Sequence, residues 1–422
     1  MSSPFLIRSR IALAVLSAAT VFSSHAASPL TLADAQRLAA ADAPQVNAQQ
    51  SALLAAQQGA IGAGELADPK LIAAIENVPT DGADRFNLTR EFMTMRKIGL
   101  MQDFPGGDKR KLRGERADAE VRREAALLAV ARLNLRRDVS LAWIERHFAE
   151  RQLATLKDLL RESELQVATA QAALAGGRGQ SADPLAARLA VAQFADRITD
   201  AERGVARAQA GLARWIGAAA RQPLAAPPAF DQLSHRNDQL TGNLDDHPHL
   251  AMYAPLQNMA TSEVRLAEAA RNPDWSLEVA FAQRGPSYSN MLSIGVRIDL
   301  PIFQSRRQDP AIAAKLAMVE QVRAQTEEAR RAHAAEIEIM LVDWNSARTR
   351  IQRYETELMP LARERSSVTL AAYRGGKAEL PMVLEARRAE IETRLSQLQA
   401  EAELARAWAS LNSLLPDTKE PS

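Results

Sequence analysis

Residues 372–392 read AYRGGKAELPMVLEARRAEIE. A helical pattern runs into Gly375 and Gly376, stops, and resumes a few residues later. Residues 174–193, LAGGRGQSADPLAARLAVAQ, carry nearly the same message. Gly176 and Gly177 match the later glycine pair, and Leu185, Ala187, Arg188 and Ala190 match Leu384, Ala386, Arg387 and Ala389. Glycine permits the left-handed or otherwise strained backbone that a reversing chain needs. Both pairs therefore read as hinges at the tips of helical hairpins.

The correspondence continues outward from the tips. Trp143 matches Trp344, Asp103-Phe104-Pro105 matches Asp299-Leu300-Pro301, Ala67-Asp68-Pro69 matches Arg271-Asn272-Pro273, and Pro44 falls opposite Pro248. The landmarks keep one order at a spacing of about 200 residues, which indicates a duplicated unit with a period too long for a simple solenoid. Each unit opens with a short helix, over 45–65 or 249–271. An Asp-Pro or Asn-Pro pair ends it, because proline disfavours helix in the residue before it. Two strand-like segments follow, then a very long helix to the glycine pair, then a return helix over 184–216 or 382–415. The division expected is a signal peptide (1–26), a first repeat (27–220), a linker (221–247), a second repeat (248–415) and a short tail (416–422).

The tract 109–174 holds no proline and one glycine, Gly114. At ~1.5 Å per residue it makes a rod about 100 Å long. The tract 311–374 is comparable and is interrupted only by Pro360. Such rods cannot bury themselves in a compact domain and pack side by side as coiled coils or larger bundles. Because both rods reverse at equivalent places, the two tips should lie at one end of the molecule and the strands at the other.

The strands alternate with period two. In 290–301, Leu292, Ile294, Val296, Ile298 and Leu300 alternate with Ser293, Gly295, Arg297 and Asp299. In 274–283, Trp275, Leu277, Val279 and Phe281 alternate with Ser276, Glu278, Ala280 and Ala282. Residues 69–78 and 91–104 carry a weaker version. In a soluble sheet the apolar face would pack on helices. In a membrane barrel it would face lipid while the polar face lined a lumen. Periodicity does not choose between the two.

Across 422 residues, 52 Lys and Arg balance 51 Asp and Glu, so no basic stripe points to nucleic acid. The absence of cysteine excludes a thiol nucleophile, a disulfide framework, a Cys-based zinc site and an N-terminal lipidated cysteine. Arg8 and Arg10 precede an apolar run over 11–22, and Ser24-His25-Ala26 offers a small-x-small cleavage site, the pattern of a secretory signal peptide. No later run reaches the ~18 apolar residues of a spanning helix.

Together, the paired strands, long rods, return helices, signal peptide and twofold repeat resemble the TolC-type outer-membrane efflux proteins over essentially the whole mature chain. That resemblance implies a mainly α fold with a transmembrane β-barrel: a homotrimer whose twelve strands form one barrel in outer-membrane lipid and whose helices continue as a periplasmic α-barrel. It implies an exit duct without enzymatic activity or cofactor, partnered by a periplasmic adaptor and an inner-membrane transporter. Residues 99–113, GLMQDFPGGDKRKLR, and 280–310 are similar to the heavy-metal CzcC- and CusC-like branch, which implies RND-type pump partners and metal-ion cargo. The rival reading is a periplasmic or surface coiled-coil scaffold or adhesin, with the strands in a soluble domain.

The family's tip pattern places Tyr373 and Gly376 on its Tyr-x-x-Gly, with Glu385 on the second acidic position and Met382 on the first. Asp183 matches an acidic residue that ties the closed tip together. Its usual arginine partner would sit at Ala378, so Lys377 could replace it only by shifting one position. Asp183, Tyr373, Lys377 and Glu385 are thus the gate candidates, beside the plainer reading that Asp183 N-caps a helix starting at Pro184. Ser293, Arg297 and Asp299 are the lumen-facing candidates. His247-Pro248-His249 has no further ligands at useful spacing and reads as a polar helix start. Met93, Met95 and Met101 read as one strand face in apolar burial or lipid contact. The glycine-rich stretch at 176–183 follows a helix instead of a strand and so fails the phosphate-loop context.

Overall fold

The computed structural model describes residues 28–177 and 179–416. The expected signal peptide and residues 417–422 lie outside the described residues. Leu30 bridges to Leu224 in parallel, tying the segment before the first helix to the stretch expected to be a linker. Helix α1 (Leu32–Ala41) is capped by Thr31, whose side chain accepts the Asp34 N–H at 3.0 Å. Helix α2 (Pro44–Ala63) starts with proline in its first turn, where the missing N–H has no intrahelical partner to lose.

Strands β1 (Lys70–Glu76) and β2 (Met95–Phe104) follow, then α3 (Lys109–Ala175), an uninterrupted helix of 67 residues. Helix α4 (Asp183–Ile216) comes next. The short α5 (Asn237–Thr241) lies in the stretch expected to be a linker. The chain continues through α6 (Tyr253–Ala269), β3 (Trp275–Gln283), β4 (Met291–Ile298), α7 (Gln304–Arg353), α8 (Met359–Arg374) and α9 (Leu380–Asn412).

The second rod differs from the sequence expectation. It begins at Gln304, seven residues before 311, and carries Pro310 inside it. Its break is a π-helical turn, Tyr354–Leu358, placed just ahead of Pro360. Proline lacks an N–H, and its ring clashes with the carbonyl four residues back. A locally widened turn accommodates both faults while keeping the helix direction. The short helix of the second repeat is also shorter than expected, because 247–252 form turns before Tyr253.

The long helices lie side by side in the order α4, α3, α9, then α7 with α8. Two apolar cores hold them at mid-height. One gathers Trp143, Ile144, Leu135 and Leu212 with Ala402 and Ala405. The other gathers Ile337, Trp344, Leu240, Leu404 and Leu411. Phe230 and Trp408 touch both. Five of the twelve buried residues of α9 are alanines, which lets backbones approach closely at those positions.

The strands form one antiparallel sheet in the order β1-β2-β3-β4. The middle pairing joins the repeats: Ile98 faces Phe281, Leu100 faces Val279 and Phe104 faces Trp275. In the flanking pairs Leu71 faces Leu100, and Val279 faces Ile294.

Candidate functional site

Residues opposite one another across an antiparallel sheet project to the same side. The registers therefore sort the sheet into two faces. One carries Leu71, Ile75, Ile98, Leu100, Val279, Phe281, Leu292, Ile294, Val296 and Ile298, all exposed. The other carries Glu76, Lys97, Gly99, Met101, Ser276, Glu278, Ala280, Ser293 and Arg297. Burial is the reverse of a soluble sheet: Ser276, Ala280 and Ala282 are buried on the polar side. No helix among the described residues packs over either face. Phe104 and Trp275 stack at 4.3 Å at one end of the apolar face, and Phe92, Phe281 and Tyr288 are exposed at the other. Aromatic residues at both ends of an apolar band are the pattern of a strand set that crosses lipid.

The polar face is internally neutralised. Lys97 Nζ lies 2.7 Å from Glu278 and 3.4 Å from Glu76, and Lys70 lies 2.6 Å from Asp103. The Arg297 guanidinium approaches Met101 Sδ at 3.4 Å. Ser293 pairs with Ala280, and Asp299 sits just beyond β4 with its N–H donating to the Asp274 carbonyl at 2.8 Å. Met95 and Met101 stand on this polar face and Met93 precedes the strand, which corrects the expected apolar or lipid contact. Between strands, Gly99 leaves room for its neighbour: a Cβ there would lie 2.6 Å from that of Ala280.

A buried lysine joins the sheet to the rods. Lys109, the first residue of α3, donates to Asp274 Oδ1 at 2.7 Å and to the Asn272 carbonyl at 2.9 Å. Gly106 N–H donates to the same carboxylate oxygen at 2.6 Å. A Cβ on Gly106 would fall 2.0 Å from the Pro273 carbonyl oxygen. The Asp-Phe-Pro landmark of one repeat thus abuts the Asn-Pro landmark of the other.

At the far end the two hairpin tips are near copies. Gly176 and Gly375 have φ/ψ of −83/6° and −82/2°, and Gly177 and Gly376 have φ of 70° and 69°. Gly176 N–H donates to Ala172 and Gly375 N–H to Ala371, each at 3.0 Å. Asp183, Tyr373, Gly375 and Gly376 line one cavity between the tips. Asp183 is buried, and its carboxylate accepts the Gln180 N–H at 3.0 Å. It is the first residue of α4 and not its N-cap, a position held by Ala182, because the tip loop folds its own N–H back onto the carboxylate. Tyr373 Oη is buried without a hydrogen-bond partner. Glu385 is elsewhere: it is exposed, 3.6 Å from Arg365, beside a groove shared with Arg197 and Arg388. Lys377 is exposed on the tip, its N–H donating to Ala372 at 2.8 Å.

Sequence reading missed the Lys97–Glu278–Glu76 group, the Lys109–Asp274 junction and the histidine neighbours of His247. Each depends on partners far apart in the chain. The only sequence hint was charge on the polar parity of the strands.

Residues 243–416 match the family model described as outer membrane efflux protein. Solved structures share the whole architecture. A membrane protein from Pseudomonas aeruginosa aligns with TM-score 0.78 at 17% identity, covering 91% of this chain and 93% of the other. The outer membrane protein VceC of Vibrio cholerae aligns with TM-score 0.76 at 18% identity, covering 91% and 95%. CusC, described for its transmembrane channel formation, aligns with TM-score 0.78 at 17% identity, covering 91% of each chain. The fold is that of a TolC-type outer-membrane efflux protein. No curated protein matches this chain by sequence. Outer membrane efflux proteins are channels and not enzymes. In a TolC-type protein the sheet belongs to a β-barrel and the rods to an α-barrel, which accounts for an apolar sheet face that no helix covers.

Proposed function

We propose that three copies of this chain close into one exit duct of a tripartite efflux pump, spanning the outer membrane and reaching through the periplasm. The observation that carries this reading is the uncovered apolar face together with two open sheet edges, β1 and β4. A long, unpaired, apolar edge strand is an aggregation site unless another chain completes it. β1 and β4 run in opposite directions, so β1 of one copy can pair antiparallel with β4 of the next. Three copies of a four-stranded sheet then give twelve strands, an even number as antiparallel closure requires. The side-by-side row of long helices extends the same curved wall as an α-barrel. The scaffold or adhesin reading leaves the apolar face exposed to water and is disfavoured.

In this reading residues 1–26 are a cleaved signal peptide, and the division into two repeats joined by a linker follows the proposed boundaries. Ser293, Arg297 and Asp299 line the lumen. The tips form the periplasmic gate. Asp183 and Tyr373 hold the closed cavity, Lys377 lies at its rim, and Glu385 supplies one carboxylate per chain to a ring that slows multivalent cations, as acidic rings do in cation pores. The hinge glycines Gly176, Gly177, Gly375 and Gly376 let the return helices swing when a periplasmic adaptor docks. Cargo arrives from an inner-membrane RND-type transporter. The similarity of 99–113 to the heavy-metal branch supports metal cations as that cargo.

The test is outer-membrane fractionation with and without heating before electrophoresis. A heat-modifiable trimer is expected, and a soluble monomer would sink the duct. For orientation, cysteines at Gln180 and Ala378 should crosslink to the adaptor, and their labelling by an impermeant reagent on intact cells would reverse the topology. For the gate, Glu385→Ala should weaken multivalent-cation block in planar bilayers, and Asp183→Ala should raise baseline conductance. Unchanged block and conductance in both variants would remove these residues from the constriction. For the cargo, deletion of the gene should sensitise cells to heavy-metal salts; sensitivity to organic compounds alone would assign another cargo.

A further inference from the structure

Four of the chain's six histidines gather where the inter-repeat linker meets the rods: His235, His247 and His249 from the linker side and His333 from α7. His247 Nδ1 lies 3.0 Å from His333 Nε2, with the rings edge to face at 77°. His249 stacks on His333 with centroids 5.4 Å apart. His235, His247 and His333 are 4%, 1% and 6% exposed and so sealed from solvent, while His249 is half-buried at the edge of the group. His333 is buried on α7, one turn from the core residue Ile337. His235 Nε2, His247 Nε2 and His249 Nδ1 are buried without hydrogen-bond partners.

The charges around the cluster come from every element packed on it. Asp246 neighbours His247 in the linker. Glu336 on α7 reaches to 3.8 Å of His333 Nδ1 and is itself mostly exposed. Arg137 on α3 acts on His249. The Asp245–Arg330 ion pair, at 3.5 Å, ties the linker to α7 nearby. Among the described residues no group of three or more His, Cys, Asp or Glu side chains is arranged to hold a metal ion. The species these rings share is the proton.

We propose that this cluster is a proton-sensitive latch that fastens the linker to the second rod. The 3.0 Å contact is a hydrogen bond only while one imidazole offers a lone pair and the other an N–H. Protonating both places two cations in contact in a buried site. Glu336 and Asp246 number fewer than the rings and oppose this only in part, and Arg137 adds to the repulsion. Burial, then the neighbouring positive rings, holds His247 below the ordinary imidazole range. Burial also lowers His249, with Glu336 opposing and Arg137 adding to the fall, and lowers His333, with His249 adding and Glu336 opposing. A depressed folded-state pKa means stability that is complete above the unfolded value of about 6.5 and is lost as pH falls through the folded values. The latch is therefore closed at neutral pH and opens on acidification.

Hydrogen exchange of the purified full chain in detergent tests this, with rates corrected for the intrinsic effect of pH. Between pH 7.5 and 5.0, exchange in 235–252 should rise about tenfold for each unit by which folding depresses the histidines. Exchange in the tip, 165–192, should stay flat. The doubly substituted His247→Gln/His333→Gln protein should lose the pH dependence of 235–252 alone. A flat wild-type profile in 235–252 overturns the latch, as does an undiminished pH dependence in the double variant. Should that variant not fold, the wild-type profile decides alone: a midpoint below 6.5 confined to 235–252 supports the latch, and a rise shared with the tip overturns it.

Discussion

Trp143 and Trp344 stand at matching points of the two repeats, and each does the same job with a different partner. Trp143 donates its indole N–H to the Leu30 carbonyl at 3.2 Å, just before α1. Trp344 donates to the Phe230 carbonyl at 3.0 Å, in the linker before α5. The tips match as closely, glycine for glycine. The rods between them do not. The first is one helix of 67 residues, whereas the second is 50 residues, a five-residue π turn and 16 more. The likeness survives where a single backbone conformation or a single buried donor permits few solutions. The repeats diverge where any helical path of the right length will do.

Four experiments probe that contrast. Trp143→Ala should cost about 3–5 kcal/mol in urea unfolding, since the ring is wholly buried and its donor paired. Trp344→Ala, at 6% exposure, should fall toward the lower end of that range. A cost under ~1 kcal/mol at Trp344 would end the functional equivalence of the pair.

Ile98→Arg and Ile294→Arg place a charge on the apolar face of the first and second hairpins. Each should cost about 2–4 kcal/mol near a bilayer midplane and reduce trimer yield. Ser293→Arg, on the polar face, should be tolerated. Damage at one hairpin only would show that the two halves of the sheet meet different surroundings.

At the tips, Gly177→Ala and Gly376→Ala force a Cβ into the left-handed region and should each cost about 1–2 kcal/mol. Gly375→Ala, at φ −82°, should cost less than ~1 kcal/mol, because only ordinary contacts meet the new methyl group. Thermal unfolding of the three variants ranks them directly. Last, Pro360→Ala should move stability by less than ~1 kcal/mol: a regained helical hydrogen bond offsets the lost restriction of the unfolded chain. A loss beyond ~2 kcal/mol would mean that the π turn is itself required by its neighbours.

Much of the fold was legible. The first rod runs over almost the span read from its lack of proline, and the reversals fall at the glycine pairs. Strand parity placed Ile294 and Val296 opposite to Ser293 and Arg297, as the registers do. The capping alternative for Asp183 fails because capping depends on where the tip loop folds: the helix starts one residue earlier, and the loop turns its Gln180 N–H onto the carboxylate. The methionines of β2 were misjudged because apolar character is a weak guide to parity in a strand whose alternation is blurred. His247 looked isolated because His333, its partner, lies 86 residues away.

The sequence by itself determined the paired landmarks, the span of the first rod and the two-faced strands. Those follow from local backbone preference and from the period at which apolar side chains recur. Only the tertiary structure decided that the apolar face of the sheet stays uncovered, that Lys109 of one repeat grips Asp274 of the other, and that buried imidazoles meet at the linker. Such contacts join residues far apart in the chain, and their free energy depends on what burial removes from water. A linear pattern carries neither quantity.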